Sequence, residues 1–369
     1  MRETHIIVDT QFGSCGKGLF SGFLANRVNP DAIATGWGPN AGHTYITADG
    51  EKMVVIALPN GMVAPSVKRI LIGPGSIINP AIFMKEMADH SKWLKGKDIM
   101  IHEHAAVVTD KHRVAEAGAM FKIGSTMKGV GEAVIQKIRR DPKNSNIAST
   151  LLRGTGLEPL VVTTEQYNTA VDLSPCVMVE GHQGFSLSMN QGFYPYTTSR
   201  DCTTTQVLTD CGLPFGKGTS RQNTVVYGVC RTFPIRVANR FKVPGDPTSE
   251  QIGWSGPCYF DQREMTWEEV GQPVEYTTVT KLPRRVFSFS QEQIRQAVRM
   301  NGIDRVFINF ANYLADRQEW NNSIGKITEQ LVNRVNGDRL FSLINAIEQV
   351  GGKVRWLGWG PAHGDVQEL

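Results

Sequence analysis

Short apolar runs stopped by glycine recur along this chain, and most are followed by stretches in which apolar residues return every three or four positions. His5-Ile6-Ile7-Val8-Asp9 is the first run and predicts a buried strand. Beyond the glycines of Gly13-Ser14-Cys15-Gly16-Lys17-Gly18, the positions Leu19, Phe20, Phe23, Leu24 and Val28 predict a helix. Ala32 to Trp37 predicts a second strand. Thr44 to Thr47 and Lys52 to Leu58 flank Asp49-Gly50, a turn pair that predicts a hairpin. The strand theme repeats at Ile70 to Ile72, Asp98 to Ile101, Cys176 to Glu180, Val225 to Val229, Arg305 to Ile308 and Val354 to Leu357. Helical patterns lie between these runs. Pro80 opens one through Phe83, Met84 and Met87, Gly129 to Ile138 forms another, and Ser290 caps a third over Gln291 to Met300. Ile327, Leu331, Val335, Leu340, Leu343, Ile344 and Ile347 mark C-terminal helices.

This alternation predicts an α/β fold: a large, mostly parallel, doubly wound sheet with helices on both faces and ligands at the carboxyl ends of its strands. From about 240 to 275 the periodicity gives way to Pro244, Pro247, Gly253, Gly256 and Pro257. A long irregular loop or insertion is expected there, inside a single domain over residues 1–369.

Composition narrows the function. The 369 residues are 41% hydrophobic and 20% charged, ordinary for a globular protein with a sizeable core. No run reaches the roughly 18 apolar residues of a membrane helix, and Met1 to His5 leads directly into a strand, so a cytoplasmic protein is expected. The net charge of +4 comes from 39 basic and 35 acidic side chains spread along the chain. That balance argues against a nucleic-acid or membrane surface and suits a small anionic ligand. Six cysteines without a C-x-x-C pair predict free thiols. His102-Glu103-His104 places two imidazoles on one strand, but no third ligand has a spacing that ties it to them.

Candidate chemistry starts at the glycine turn. Gly13, Gly16 and Gly18 let the backbone curl so that N–H groups point at one spot, and the following helix N-terminus favours an anion there. Lys17 adds a point charge. The turn is shorter than G-x-x-x-x-G-K-[ST] and has Gly18 in place of the hydroxyl, so alone it reads as a P-loop-like phosphate cradle or as a tight turn. His43, after Asn40-Ala41-Gly42 at a strand mouth, suits proton transfer. His182 sits on a glycine turn as a ligand contact or a structural histidine, and Lys281 to Arg285 offers an arginine fork for a carboxylate or phosphate.

Thr10-Gln11 with Gly13-x-x-Gly16-Lys17-Gly18, Asn40-Ala41-Gly42-His43-Thr44, Gly50-Glu51-Lys52, Ile72-Gly73-x-Gly75, Met84-Lys85-Glu86-Met87, Glu180-Gly181-x-Gln183-Gly184 and Tyr194-Pro195-Tyr196 occur in one order. This order resembles that of the adenylosuccinate synthetases, from the first strand to Gly360-Pro361. The resemblance implies a homodimeric carbon–nitrogen ligase, in which a nucleoside triphosphate phosphorylates a purine O6 and the amine of L-aspartate displaces that phosphate with Mg²⁺ assistance. It implies that Gly13, Ser14, Cys15, Gly16, Lys17, Gly18, Gly42, Thr44, Arg284, Phe310, Asn312, Gly358 and Gly360 line the triphosphate nucleotide. His43, Lys17 and Ser14 would be catalytic, with Ser14 and the Gly42 carbonyl at the metal. Asn40, Thr126, Gln183 and Thr198 would bind the purine monophosphate with Ser14, Arg140 would reach into the partner's site, and Thr280 and Arg284 would hold aspartate.

Three departures narrow the resemblance. Where the family reads G-D-E-G-K-G-K, the aspartate that acts as base at purine N1 is Ser14. The guanine-reading T-K-L-D aligns with Asn309-Phe310-Ala311-Asn312, and an arginine near the ribose aligns with Leu282. Together they resemble a phage branch of the family that takes dGMP and ATP or dATP, toward 2-aminoadenine in viral DNA. Ser14 leaves room for a 2-amino group, Phe310 and Asn312 suit adenine, and Leu282 suits a sugar without a 2′-hydroxyl. An ordinary synthetase acting on IMP and a non-catalytic nucleotide-binding relative are the alternatives.

Overall fold

The computed structural model describes residues 2–40, 42–119, 123, 125–216, 222–243, 248–277, 282–324 and 339–369. Its centre is a ten-stranded sheet in the order β19-β18-β17-β11-β1-β10-β2-β5-β7-β9. In chain order these strands are β1 (Arg2–Asp9), β2 (Ala32–Thr35), β5 (Arg69–Ile72), β7 (Asp98–His102), β9 (Val161–Val162), β10 (Cys176–Glu180), β11 (Gln222–Arg231), β17 (Arg305–Asn309), β18 (Val354–Gly358) and β19 (Val366–Glu368). Every pairing is parallel except that of β18 with β19. Smaller ladders lie beside it, among them the hairpin β3 (His43–Ile46) with β4 (Lys52–Val55), and β6 (Ile77–Ile78) with β8 (Ala106–Val107).

The continuous apolar runs follow from this topology, because a parallel sheet is covered on both faces and its strands have no solvent side to make polar. On one face the helix Lys17–Val28 lays Phe20, Phe23 and Leu24 against Tyr227, Phe307 and Trp356. Phe20 stacks on Phe307 with ring centroids 4.7 Å apart. The other face is covered by Ile294 and Val298 of the helix Gln291–Asn301 and by Leu340, Ile344 and Ile347 of the helix Arg339–Gln349. Ser290 caps the former as expected, its hydroxyl accepting from Gln293 N. Positions Ile327, Leu331 and Val335 of the expected C-terminal helices lie outside the described residues.

The stretch expected as an irregular loop at 240–275 contains regular structure. β13 (Arg240–Phe241) pairs with β14 (Gln251–Gly253), and β15 (Glu264–Met265) joins a three-stranded sheet with β16 (Arg285–Phe287) and β12 (Ile235–Arg236). Thr266 and Glu269 form a capping box on the short helix Trp267–Val270, and Trp267 and Val270 pack with Ile235 and Val286 in a small core of their own. Strands of two or three residues complete no alternation, so sequence periodicity cannot register them.

Candidate active site

The carboxyl ends of β1, β10, β11 and β17 meet the glycine turn. The turn adopts the strained geometry its composition suggests, with φ of 89° at Gly13, 58° at Ser14 and 95° at Gly16. The spot at which its amides point is already taken. The carboxylate of Asp9, 1% exposed at the end of β1, accepts from the N–H groups of Gln11 (2.9 Å), Gly13 (3.2 Å) and Cys15 (3.3 Å) and from Lys17 Nζ (3.1 Å). Lys17 is therefore not the free point charge that the sequence suggests: it is buried and also donates to the Gln183 carbonyl. The N–H groups of Ser14, Gly16, Lys17 and Gly18 have no partner among the described residues, and these are donors the turn leaves uncommitted. Cys15 is fully buried, its thiol donating to Gln11 Oε1, so only its backbone belongs to the turn surface.

His43 begins β3 and is held from behind. Its Nδ1 lies 2.6 Å from Glu180 Oε1, while Glu180 Oε2 accepts from Ser21 Oγ (2.5 Å) and from the N–H of Asn60 (2.7 Å). Glu180 is fully buried at the end of β10. The carboxylate engages Nδ1–H and leaves Nε2 as the nitrogen for a ligand. Trp37 packs edge-on against the imidazole at 4.5 Å. Gly18 brings the helix N-terminus against the hairpin: a Cβ there would lie 2.5 Å from Asn60 Oδ1 and 2.8 Å from the Thr44 carbonyl.

A second cluster surrounds Ser14. Its Oγ accepts from Arg284 Nη1 at 3.2 Å and its carbonyl from Arg231 Nη1 at 3.4 Å. Arg231 is fully buried, ion-paired to Glu275 and stacked over the Phe310 ring at 4.0 Å, and Tyr313 also donates to Glu275. Burial holds the Arg284 guanidinium below its usual range, with Glu275 opposing the shift. A cavity of about 550 Å³ beside this cluster is lined by Asn312, Leu314, Asp316, Arg317, Glu319 and Trp359, among others. That volume lies within the range of small-molecule sites.

Gln183 (φ 52°) abuts Gly13, and its buried Nε2 has no hydrogen-bond partner among the described residues. The same holds for His182 Nε2, and burial keeps that imidazole neutral by depressing its pKa far below the ordinary value. Gly358 and Gly360 act by close approach, since a Cβ would collide with Asn309 Oδ1 at 2.3 Å and Asp365 Oδ2 at 2.4 Å. Gly42 and Thr44 are exposed at the hairpin mouth, and Asn40 is half-buried just before it. Thr126 follows Ser125, whose carbonyl accepts from Arg240 at 2.7 Å; Thr198 is half-buried after the Tyr194 to Tyr196 segment. Arg140 is exposed at the end of the helix Val130–Arg139. Thr280, Lys281 and Ala41 lie outside the described residues. Sequence reasoning missed the roles of Asp9, Glu180, Asn60, Arg231 and Glu275. One signal was available: Asp9 and Glu180 are carboxylates that directly follow the buried apolar runs Ile6 to Val8 and Val177 to Val179.

Known proteins resemble this chain in sequence and in overall fold. The sequence model of the adenylosuccinate synthetase family matches residues 6–151 and 143–321. The N6-succino-2-amino-2′-deoxyadenylate synthase of Acinetobacter phage SH-Ab 15497 is 42% identical over 391 residues, covering 100% of this chain and 94% of that protein. The protein of the same name from Salmonella phage PMBT28 is 47% identical over 325 residues, covering 85% and 86%. Among solved structures, succinoaminodeoxyadenylate synthetase of Cyanophage S-2L, bound to dGMP and to dATP as an energy donor, superposes with a TM-score of 0.85 at 38% identity, covering 100% of this chain and 95% of that one.

Proposed function

The chain belongs to the adenylosuccinate synthetase family, and from that premise we propose that it joins L-aspartate to C6 of dGMP at the expense of ATP or dATP. The product is N6-succinyl-2-amino-2′-deoxyadenylate, a precursor of 2-aminoadenine in viral DNA. The γ-phosphoryl group passes to the purine O6 as the N1 proton passes to solvent, releasing the nucleoside diphosphate. The aspartate amine then forms the new C–N bond, losing a proton to solvent, as the C6–O bond breaks and phosphate departs.

The single observation that carries the dGMP reading is Ser14. It stands at positive φ on the exposed lip of the turn, with its hydroxyl against Arg284 and no carboxylate on that lip. A hydroxyl there leaves space for a 2-amino group and can accept from it, where a carboxylate side chain would crowd it.

The other residues take roles their contacts support. The uncommitted N–H groups of Ser14, Gly16, Lys17 and Gly18 would receive the phosphoryl oxygens. Lys17 would exchange the Gln183 carbonyl for phosphate, with Asp9 holding the turn in shape. His43, oriented by Glu180 through Nδ1–H, would donate from Nε2 to the transferring oxygens as the imidazolium. Arg284 would hold an aspartate carboxylate together with Thr280, and Asn40, Gln183, Thr126 and Thr198 would hold dGMP. Phe310 has Arg231 over one face, and with Asn312 and the cavity behind it would receive adenine.

Mg²⁺ fits as a triphosphate-bound ion: Ser14 Oγ and the Gly42 carbonyl are neutral oxygens, so its anionic ligands would be phosphates. Bound there, it would neutralise phosphate charge.

The reading is tested by competing dGMP against IMP with aspartate and ATP, dATP or GTP in turn. Aspartate-dependent phosphate release with dGMP and an adenine triphosphate is expected. Turnover confined to IMP with GTP would overturn it.

A further inference from the structure

At the opposite end of the sheet the register of two central strands gathers three donors of different chemistry. Glu3 and His5 are two residues apart in β1 and so share a face, and Glu3 pairs directly with Cys176, the first residue of β10. Their ligand atoms all lie within 4.8 Å of one another. His5 Nε2 and Glu3 Oε1 are 3.5 Å apart, close to the ~3.3 Å that separates two donors bound at ~2.0 Å around a tetrahedral Zn²⁺. The other ring nitrogen, Nδ1, shares a 2.9 Å hydrogen bond with the Tyr227 hydroxyl. That is the outer contact which fixes the ring of a metal-bound histidine and frees Nε2.

We propose that Glu3, His5 and Cys176 form a site for Zn²⁺ or a similar soft divalent cation, with water as the fourth ligand, clasping β1 to β10. A thiol–imidazole–carboxylate set selects Zn²⁺ over Mg²⁺, which prefers oxygen. The site is independent of phosphoryl transfer: six residues of strand, about 20 Å, separate Glu3 from Asp9. Burial keeps the imidazole neutral and so able to ligate, the Glu3 carboxylate opposing that shift and Arg305 adding to it. Burial, then Glu3 and Asp31, push the Cys176 thiol up to about 12, so binding must release its proton to solvent. Glu3 is half-exposed and provides the way in.

The test is titration of chelator-stripped protein with Co²⁺ in millimolar Mg²⁺, following the thiolate-to-cobalt charge-transfer band in the near ultraviolet. One equivalent per chain and displacement by Zn²⁺ are expected. C176S should abolish the band and weaken Zn²⁺ binding at least 100-fold, while E3Q weakens it about tenfold; both variants should keep wild-type turnover. Absence of the band from wild type, or a band undiminished in C176S, would overturn the proposal. If C176S does not fold, E3Q carries the test, since unchanged Zn²⁺ affinity in that variant would equally exclude the site.

Discussion

Ser14 and Glu180 carry opposite burdens, one exposed and free to choose a ligand, the other buried and committed. Replacing Ser14 by Asp restores the carboxylate of the wider family beside Arg284. The expected result is a shift of at least tenfold in kcat/KM from dGMP toward IMP, about 1.4 kcal/mol, read in a two-substrate competition. Glu180→Gln is nearly isosteric but turns one oxygen into a donor, which then faces either His43 or the pair Ser21 and Asn60. With the wrong face toward Nδ1, the imidazole loses its fixed orientation, and kcat should fall about 100-fold with little change in the KM for dGMP. Stability should drop by about 1–3 kcal/mol, measurable by urea unfolding, because a buried polar group is left unpaired.

At the scale of elements, the first helix depends on having no side chain at Gly18. Gly18→Ala sets a methyl into Asn60 and the Thr44 backbone. Since backbone cannot yield as a flexible side chain can, a loss of about 1–3 kcal/mol and a rise in nucleotide KM are expected. The strand β7 contributes a pH dependence. His102 is buried against Tyr167, and burial first, then His104, lowers its pKa to about 4. Folded His102 thus stays neutral where an unfolded histidine, near 6.5, takes up a proton. The unfolded state binds more protons between those values, so stability falls as pH drops from about 6.5 to about 4. His182 acts in the same sense. Unfolding at pH 7 and pH 5 should differ, and H102Q should shrink that difference by about 1–2 kcal/mol. The same strand was a metal candidate by sequence, yet His102 Nδ1 accepts from the N–H of His104, and no third donor joins them among the described residues.

For the whole molecule, the described chain leaves Arg140 exposed at a helix end in the left-handed conformation. In a homodimer that completes each site with the partner's arginine, Arg140→Ala and a Lys17→Ala chain would each lack one half. Mixing the two inactive variants should restore about a quarter of wild-type activity per chain through sites lacking both defects, whereas a self-sufficient monomer would restore none. Sedimentation at micromolar concentration would report the dimer directly.

Much of this was legible in the chain itself. Strand and helix periods, the hairpin at Asp49-Gly50 and the cap at Ser290 depend on neighbours a few residues apart, so local pattern determined them, and the ordered motifs determined the family. Ser14 as the departure of interest was visible for the same reason. Tertiary structure alone decided which charge faces which. Parallel pairing of β1 with β10 sets Cys176 beside Glu3, and the seating of the β3–β4 hairpin brings His43 to Glu180 across 137 positions. Only the curl of the turn shows that its alternate amides and Lys17 close on Asp9. Contacts of that range leave no period in a sequence, because they are fixed by strand order and register rather than by spacing along the chain.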